Sequence, residues 1–308
     1  MWDSQPRRVG MNKLVVALAL CCCILGAGTA FGASGHYTNG VEGIKAATLP
    51  PPGVYWRMYN AFYNADSTRT NTGKKAPGDF DLSAFAWVNR LIWSTDVEIL
   101  GGNLIMDVIV PMSYTDLSYK LNGMTLANDD RFGLGDIMVE PFVLGWHGSW
   151  YDAAVGTGLY MPTGDFGGDR AVNPGMGFWT FMFTAGGTVY FDRDKTWSAS
   201  VLSRYEVHTE QEDTDITPGN HFHFEWGVGK TLWQVVDVGV AGYCHWQVTD
   251  DSGPGATDDR EEAYAAGPEI AMAFPEHGFQ VSLRSLWEFE NRNRPEGNIT
   301  TLTLTKAF

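Results

Sequence analysis

Apolar and polar residues alternate with a period of two in many separate stretches of this chain. Val236, Val238, Val240, Cys244, Trp246 and Val248 share one parity, and Asp237, Gly239, Ala241, His245 and Gln247 the other. Phe222, Phe224, Trp226 and Val228 alternate with His221, His223, Glu225 and Gly227. Phe279, Val281, Leu283, Trp287 and Phe289 alternate with Gln280, Ser282, Arg284, Glu288 and Glu290. Leu104, Met106, Val108 and Val110 alternate with Asn103, Ile105 and Asp107. Side chains along a strand point to opposite faces of its sheet. Each stretch therefore reads as a strand with one oily face and one polar or small-residue face.

Twelve strands are predicted, near 54–63, 80–93, 99–113, 132–147, 149–161, 177–191, 195–208, 221–231, 235–248, 263–274, 278–290 and 298–308. Many exceed the roughly 5–6 residues usual in globular sheets and fit the roughly 9–11 that a tilted strand needs to cross a bilayer. Long connections at 64–79, 114–130, 162–176, 209–219, 250–262 and 291–297 alternate with short ones. The short ones centre on Ser94-Thr95-Asp96, His147-Gly148-Ser149, Asp192-Arg193-Asp194, Trp233-Gln234 and Pro275-Glu276-His277-Gly278. A soluble sandwich has no reason to sort its loops this way. A transmembrane barrel does, with short periplasmic turns and long outer loops. The expected fold is all-β, a single antiparallel transmembrane β-barrel of about twelve strands over 54–308, in the outer membrane of a Gram-negative bacterium. Asp136 and Glu140 share parity with Phe142, Leu144 and Trp146, so a bulge is expected near Pro141.

One continuous apolar stretch remains, Leu14 to Phe31, preceded by Arg7, Arg8 and Lys13 and followed by small residues. It reads as a secretory signal peptide over 1–33, with the start at Met1 or Met11. It holds three of the four cysteines, so Cys244 alone remains and an internal disulfide is excluded. It also takes three of the 21 basic residues but one of the 36 acidic ones, leaving the rest more acidic than the chain's net −15. Nucleic acid, which needs a basic surface, is not an expected partner. Residues 34–53 precede the first strand and could lie in the periplasm or enter the barrel as a plug. The expected partners are outer-membrane lipid, the barrel-assembly machinery and a small hydrophobic or aromatic solute.

The residues His36-Tyr37-Thr38-Asn39-Gly40-Val41-Glu42-Gly43, then Leu49-Pro50-Pro51-Pro52-Gly53, resemble the opening of the family described as involved in the meta-pathway of phenol degradation. Gly133-Leu134-Gly135-Asp136-Ile137 and Tyr160-Met161-Pro162-Thr163-Gly164-Asp165 fit the same pattern. The resemblance implies an outer-membrane barrel with a part in taking up aromatic compounds. It brings no catalytic residues.

The sharpest polar constellation is His221-x-His223-x-Glu225, with His245 of the same sense on the next strand. Imidazole with carboxylate is zinc-compatible, but a polar inner wall accounts for these residues, and no metal or cofactor is expected. Asp107, His221, His223, Glu225, His245, Glu269, Arg284 and Glu288 are the candidate lumen-lining residues, with Arg204, Glu206, His208, Asp237 and Glu290 of the same inward sense. Charges on the lipid face would cost about 2–4 kcal/mol for Arg or Lys at the midplane. Tyr55, Trp56, Tyr59, Trp93, Trp146, Trp150, Tyr151, Trp179, Phe191, Trp197 and Trp287 suit interfacial girdles. There is no Gly-x-Ser-x-Gly elbow, and no enzyme is expected. The leading reading is a passive channel for small aromatic or hydrophobic compounds. Its rivals are a closed structural barrel and, behind that, an outer-membrane enzyme.

Overall fold

The structure is a computed structural model and describes residues 35–308; the signal peptide expected at 1–33 lies outside them. The strands are β1 (Gly53–Ala65), β2 (Asp79–Ile99), β3 (Gly102–Leu121), β4 (Met124–Leu134), β5 (Ile137–His147), β6 (Tyr151–Met161), β7 (Thr180–Tyr190), β8 (Trp197–His208), β9 (His221–Leu232), β10 (Val236–Gln247), β11 (Glu262–Phe274), β12 (Phe279–Arg292) and β13 (Asn298–Ala307). All pair antiparallel with their neighbours, and β1 pairs with both β2 and β13, which closes the sheet. One part of β3 pairs with β4 (Met112 opposite Leu134) and the other with β5 (Asn103 opposite Gly145). β4 and β5 thus share one place in the wall, and the barrel has the twelve strands expected from the sequence. Closure of the wall satisfies the backbone within the sheet, which is what lets strands cross a membrane; β4 pairs with β3 alone.

The faces follow the alternation. Phe183 of β7 and Trp287 of β12 are each 54% exposed. His221, His223 and Glu225 on the other parity are 0% exposed. An apolar outside and a charged inside invert the pattern of a soluble protein and match an outer-membrane barrel.

Two connections differ from expectation. Ser94-Thr95-Asp96 is not a turn: Ser94 and Thr95 are buried, and β2 runs on to a turn at Leu100-Gly101, both with positive φ. Residues 114–130 are not an irregular loop. They form a hairpin of β3 and β4 that turns at Asn122-Gly123, with φ of 52° and 80°. Asn-Gly readily adopts this left-handed backbone. The expected bulge is present: Glu140 is buried, Pro141 and Phe142 are both exposed, and the β5–β6 register shifts between Val139 and Phe142.

Glu290 is a second correction. It takes a left-handed φ of 55° where the β11–β12 register slips, and it is exposed. Asn291, fully buried, occupies the inward position instead. Tyr59 is a third, since it faces inward at 3% exposure and joins no girdle. Trp93, Trp150, Tyr151, Trp179, Phe191, Trp197 and Trp287 are exposed.

Candidate functional site

Residues 35–52 run inside the barrel. Gly35 and His36 lie near the long-loop end, against Glu206 of β8 and Thr180 at the start of β7. Thr48 lies near the short-turn end, its hydroxyl 2.9 Å from Asp152 of β6. Between them the segment has few side chains that could meet its own backbone polar groups, so the inner wall supplies the partners. Buried polar groups need such partners.

Glu225 accepts three of these bonds. The N–H groups of Gly40 and Glu42 donate to its Oε1 at 2.8 and 2.9 Å. The Tyr37 hydroxyl donates to its Oε2 at 2.6 Å, and Arg204 Nη1 donates to the same oxygen at 2.8 Å. The Arg204 guanidinium also lies 3.8 Å from the centre of the Tyr37 ring, which stacks on His223. Glu269 and Arg284 form a two-bond pair, at 2.7 and 3.1 Å. Glu269 accepts the Ile44 N–H, and Arg284 donates to the Gly40 carbonyl. Lys45 donates to Asp237 at 2.8 Å.

The remaining inward residues hold the wall. Asp107 of β3 and Glu140 of β5 are cross-strand neighbours, and Arg90 of β2 donates to both at 2.6 Å. Arg90 also lies 3.8 Å from Glu42, which accepts Tyr59 at 2.6 Å and Arg57 at 3.3 Å. Glu288 accepts the hydroxyls of Tyr63 and Tyr243, each at 2.6 Å, with Arg294 3.5 Å away. All eight candidate residues are therefore buried on the inner side, but in separate groups. Sequence reasoning missed Arg90, Arg57, Glu42 and Tyr37. Arg90 was within reach, because it shares parity with Ala84, Ala86 and Val88 between the outward Phe85, Trp87 and Leu91.

Four histidines and His36 gather at the loop end of this wall. His36 Nε2 lies 2.8 Å from Asp136 and its Nδ1 2.6 Å from Thr180. Thr180 bonds His208 at 2.7 Å, and His208 Nε2 lies 2.9 Å from His221 Nδ1. His223 Nε2 bonds Glu206 at 2.9 Å, and Asn39 reaches His245 Nδ1 at 3.1 Å. At the rim above them, burial pushes the Asp251 carboxyl above its ordinary range, against the Gly219 N–H and Gln247 amide that donate to it.

Two cavities flank the internal segment. One, of about 150 Å³, lies toward the loops and is lined by Tyr59, Tyr63, Val88, Ile109, Tyr160, Met176 and Tyr243, with Glu42, Arg90, Glu288 and Arg294. The other, of about 590 Å³, lies toward the short turns, with Arg57, Arg90, Asp107, Glu140, Arg204, Glu269 and Arg284 in its wall.

Residues 65–304 match the family model described as Putative MetA-pathway of phenol degradation. The chain belongs to this family. The matched span begins after the Pro-rich opening, so in this member of the phenol-degradation family the match rests on the barrel. An outer membrane channel from Pseudomonas putida F1 is similar in structure, with a TM-score of 0.75 and 16% identity over 89% of this chain and 100% of that one. The β domain of the Bordetella autotransporter BrkA gives 0.48 and 12% over 84% and 100%. The CymD monoaromatic hydrocarbon channel gives 0.42 and 9% over 84% and 89%. At such identities the first likeness speaks for the shared barrel fold, and the other two add nothing to it. No curated protein matches the chain.

Proposed function

We propose that the protein is an outer-membrane channel for small hydrophobic or aromatic compounds. The observation that carries this reading is the loop-side cavity, whose walls are tyrosines and aliphatic side chains with a few charged groups among them. Small-molecule sites are mostly apolar with a few placed polar groups, and a ring fits beside tyrosines through offset or edge contacts. The family's description and the similar Pseudomonas channel support the reading. Residues 35–52 act as an internal plug whose displacement joins the two cavities. Asp107, His221, His223, Glu225, His245, Glu269, Arg284 and Glu288 are the wall groups that either hold this plug or line the passage. Outer-membrane lipid covers the aromatic outside, and the barrel-assembly machinery inserts the chain.

The test is solute entry into proteoliposomes carrying the purified barrel. Entry of phenol-sized aromatic compounds faster than into protein-free vesicles, and faster than that of a sugar of similar mass, is the expected result. Equal rates with and without protein would sink the channel reading and favour a closed structural barrel, which the many buried ion pairs holding the segment would then serve.

A further inference from the structure

His221 opens β9, His245 lies near the end of β10, and Glu261 immediately precedes β11. A ring nitrogen of each histidine and a carboxylate oxygen of Glu261 lie within 4.8 Å of one another, and all three residues are buried. The strand triplet of the sequence is not this set. Glu225 is occupied by the internal segment and Arg204, and His223 by Glu206.

The hydrogen bonds around the set orient both imidazoles. The Asp136 carboxylate already accepts the Gly164 and Met176 N–H groups. As an acceptor toward His36 as well, it sets the His36 proton on Nε2, and His36 Nδ1 accepts from the Thr180 hydroxyl. The Thr180 oxygen then accepts from His208 Nδ1–H, which leaves His208 Nε2 to accept from His221 Nδ1–H. His221 Nε2 is thereby the nitrogen with the lone pair. The same logic works on His245 from the other side. Its Nε2 is buried with no hydrogen-bond partner, and so is Oδ1 of Asn39. Amide oxygen and nitrogen are distinguished only by their bonding. Turning the Asn39 amide by half a turn sets its oxygen on His245 Nδ1–H and leaves Nε2 with a bare lone pair. Outer groups that fix a histidine in this tautomer are the usual support of a metal ligand.

We propose that His221, His245 and Glu261 bind a divalent transition ion of the zinc class. Two imidazoles and a carboxylate suit that ion, and solvent or a neighbouring side chain would complete the coordination. The ion would tie β9, β10 and the loop before β11 together at the rim. Through Asn39 it would also tie the internal segment to them. This inference is independent of whether the barrel conducts.

The experiment uses the full mature chain, extracted in detergent and stripped with a chelator. Zinc binding is measured by equilibrium dialysis, and the visible absorption of added cobalt reports the ligand field. The expected result is one zinc per chain, with a tetrahedral cobalt spectrum. His245→Ala and Glu261→Gln should each weaken binding at least about tenfold while the unboiled protein still migrates as a folded barrel. His147→Ala, at a short turn, should leave binding unchanged. Glu261→Gln keeps the side chain's size and decides the matter should His245→Ala fail to fold. Substoichiometric zinc on the wild-type chain, wild-type affinity in Glu261→Gln, or equal loss in His147→Ala would each overturn the site.

Discussion

The hydroxyl of Tyr37 donates to Glu225 across 188 positions of sequence, at 2.6 Å. The bond fixes the internal segment to the middle of β9, and Arg204 completes the buried group. Tyr37→Phe removes one of several donors to Glu225 and should cost about 1 kcal/mol. Glu225→Gln strips Arg204 of its buried carboxylate and should cost more, about 3–5 kcal/mol. The temperature at which the folded gel form is lost would rank the two. The reverse order would show that Glu225 is not the anchor.

Gly43 packs so closely that a Cβ there would run into Glu269 and Arg284. Gly43→Val should therefore push the segment off the wall without touching any strand. If the segment is the plug, single-channel conductance in planar bilayers should rise severalfold over wild type. An unchanged conductance with a dislodged segment, seen as new protease sensitivity near residue 43, would mean that the constriction lies elsewhere.

Arg90 holds two cross-strand carboxylates, Asp107 and Glu140. Arg90→Met should destabilise the barrel by about 3–5 kcal/mol, because Asp107 and Glu140 stay buried without their shared partner. Adding Asp107→Asn should restore about half of the loss. Unfolding in denaturant from lipid vesicles would measure both, and no recovery in the double variant would count against the bridge.

Val201, in the middle of β8, is 46% exposed on the outer face. Val201→Arg should cost about 2–4 kcal/mol in a bilayer and little in detergent that can wet the side chain. Equal effects in both media would argue against a lipid-facing position.

Asp251 supplies a pH effect. Its folded-state pKa is raised by burial, so the folded rim binds its proton more tightly than the unfolded chain. Stability from this group is present at acidic pH and is lost as pH rises from the ordinary carboxylate range through the raised value. Hydrogen-exchange protection of the Gly219 amide, which donates to Asp251, should fall over that window. Asp251→Asn keeps an accepting oxygen and should flatten the dependence.

The barrel was legible because a bilayer on one side and charge on the other force a strict period of two on every strand. The reading failed where that contrast ends. Residues 114–130 extend past the apolar band, and there the contrast inverts: Leu117 and Tyr119 are buried while Asp116 and Lys120 are exposed, although the pairing continues. Asn122-Gly123 was the available signal. Glu290 was misplaced because a single left-handed residue reverses parity beyond it. The inward sense of His221, His223, Glu225 and His245 was readable, but their grouping was not. It depends on register between strands and on a segment whose own sequence has no periodicity. Arg57, Arg90 and Glu42 meet only because residues 35–52 return inside the wall.

The Gly40 carbonyl accepts from Arg284 of β12 and from Thr301 of β13. These donors lie 244 and 261 residues downstream. The start of the described chain can therefore complete its bonding only after almost the whole polypeptide has been synthesised and exported. A chain cut short before β12 would leave that carbonyl unanswered in the middle of the barrel. The integrity of the far end is thus read out at residue 40, and incomplete copies would be left with a loose inner segment for quality-control proteases to seize.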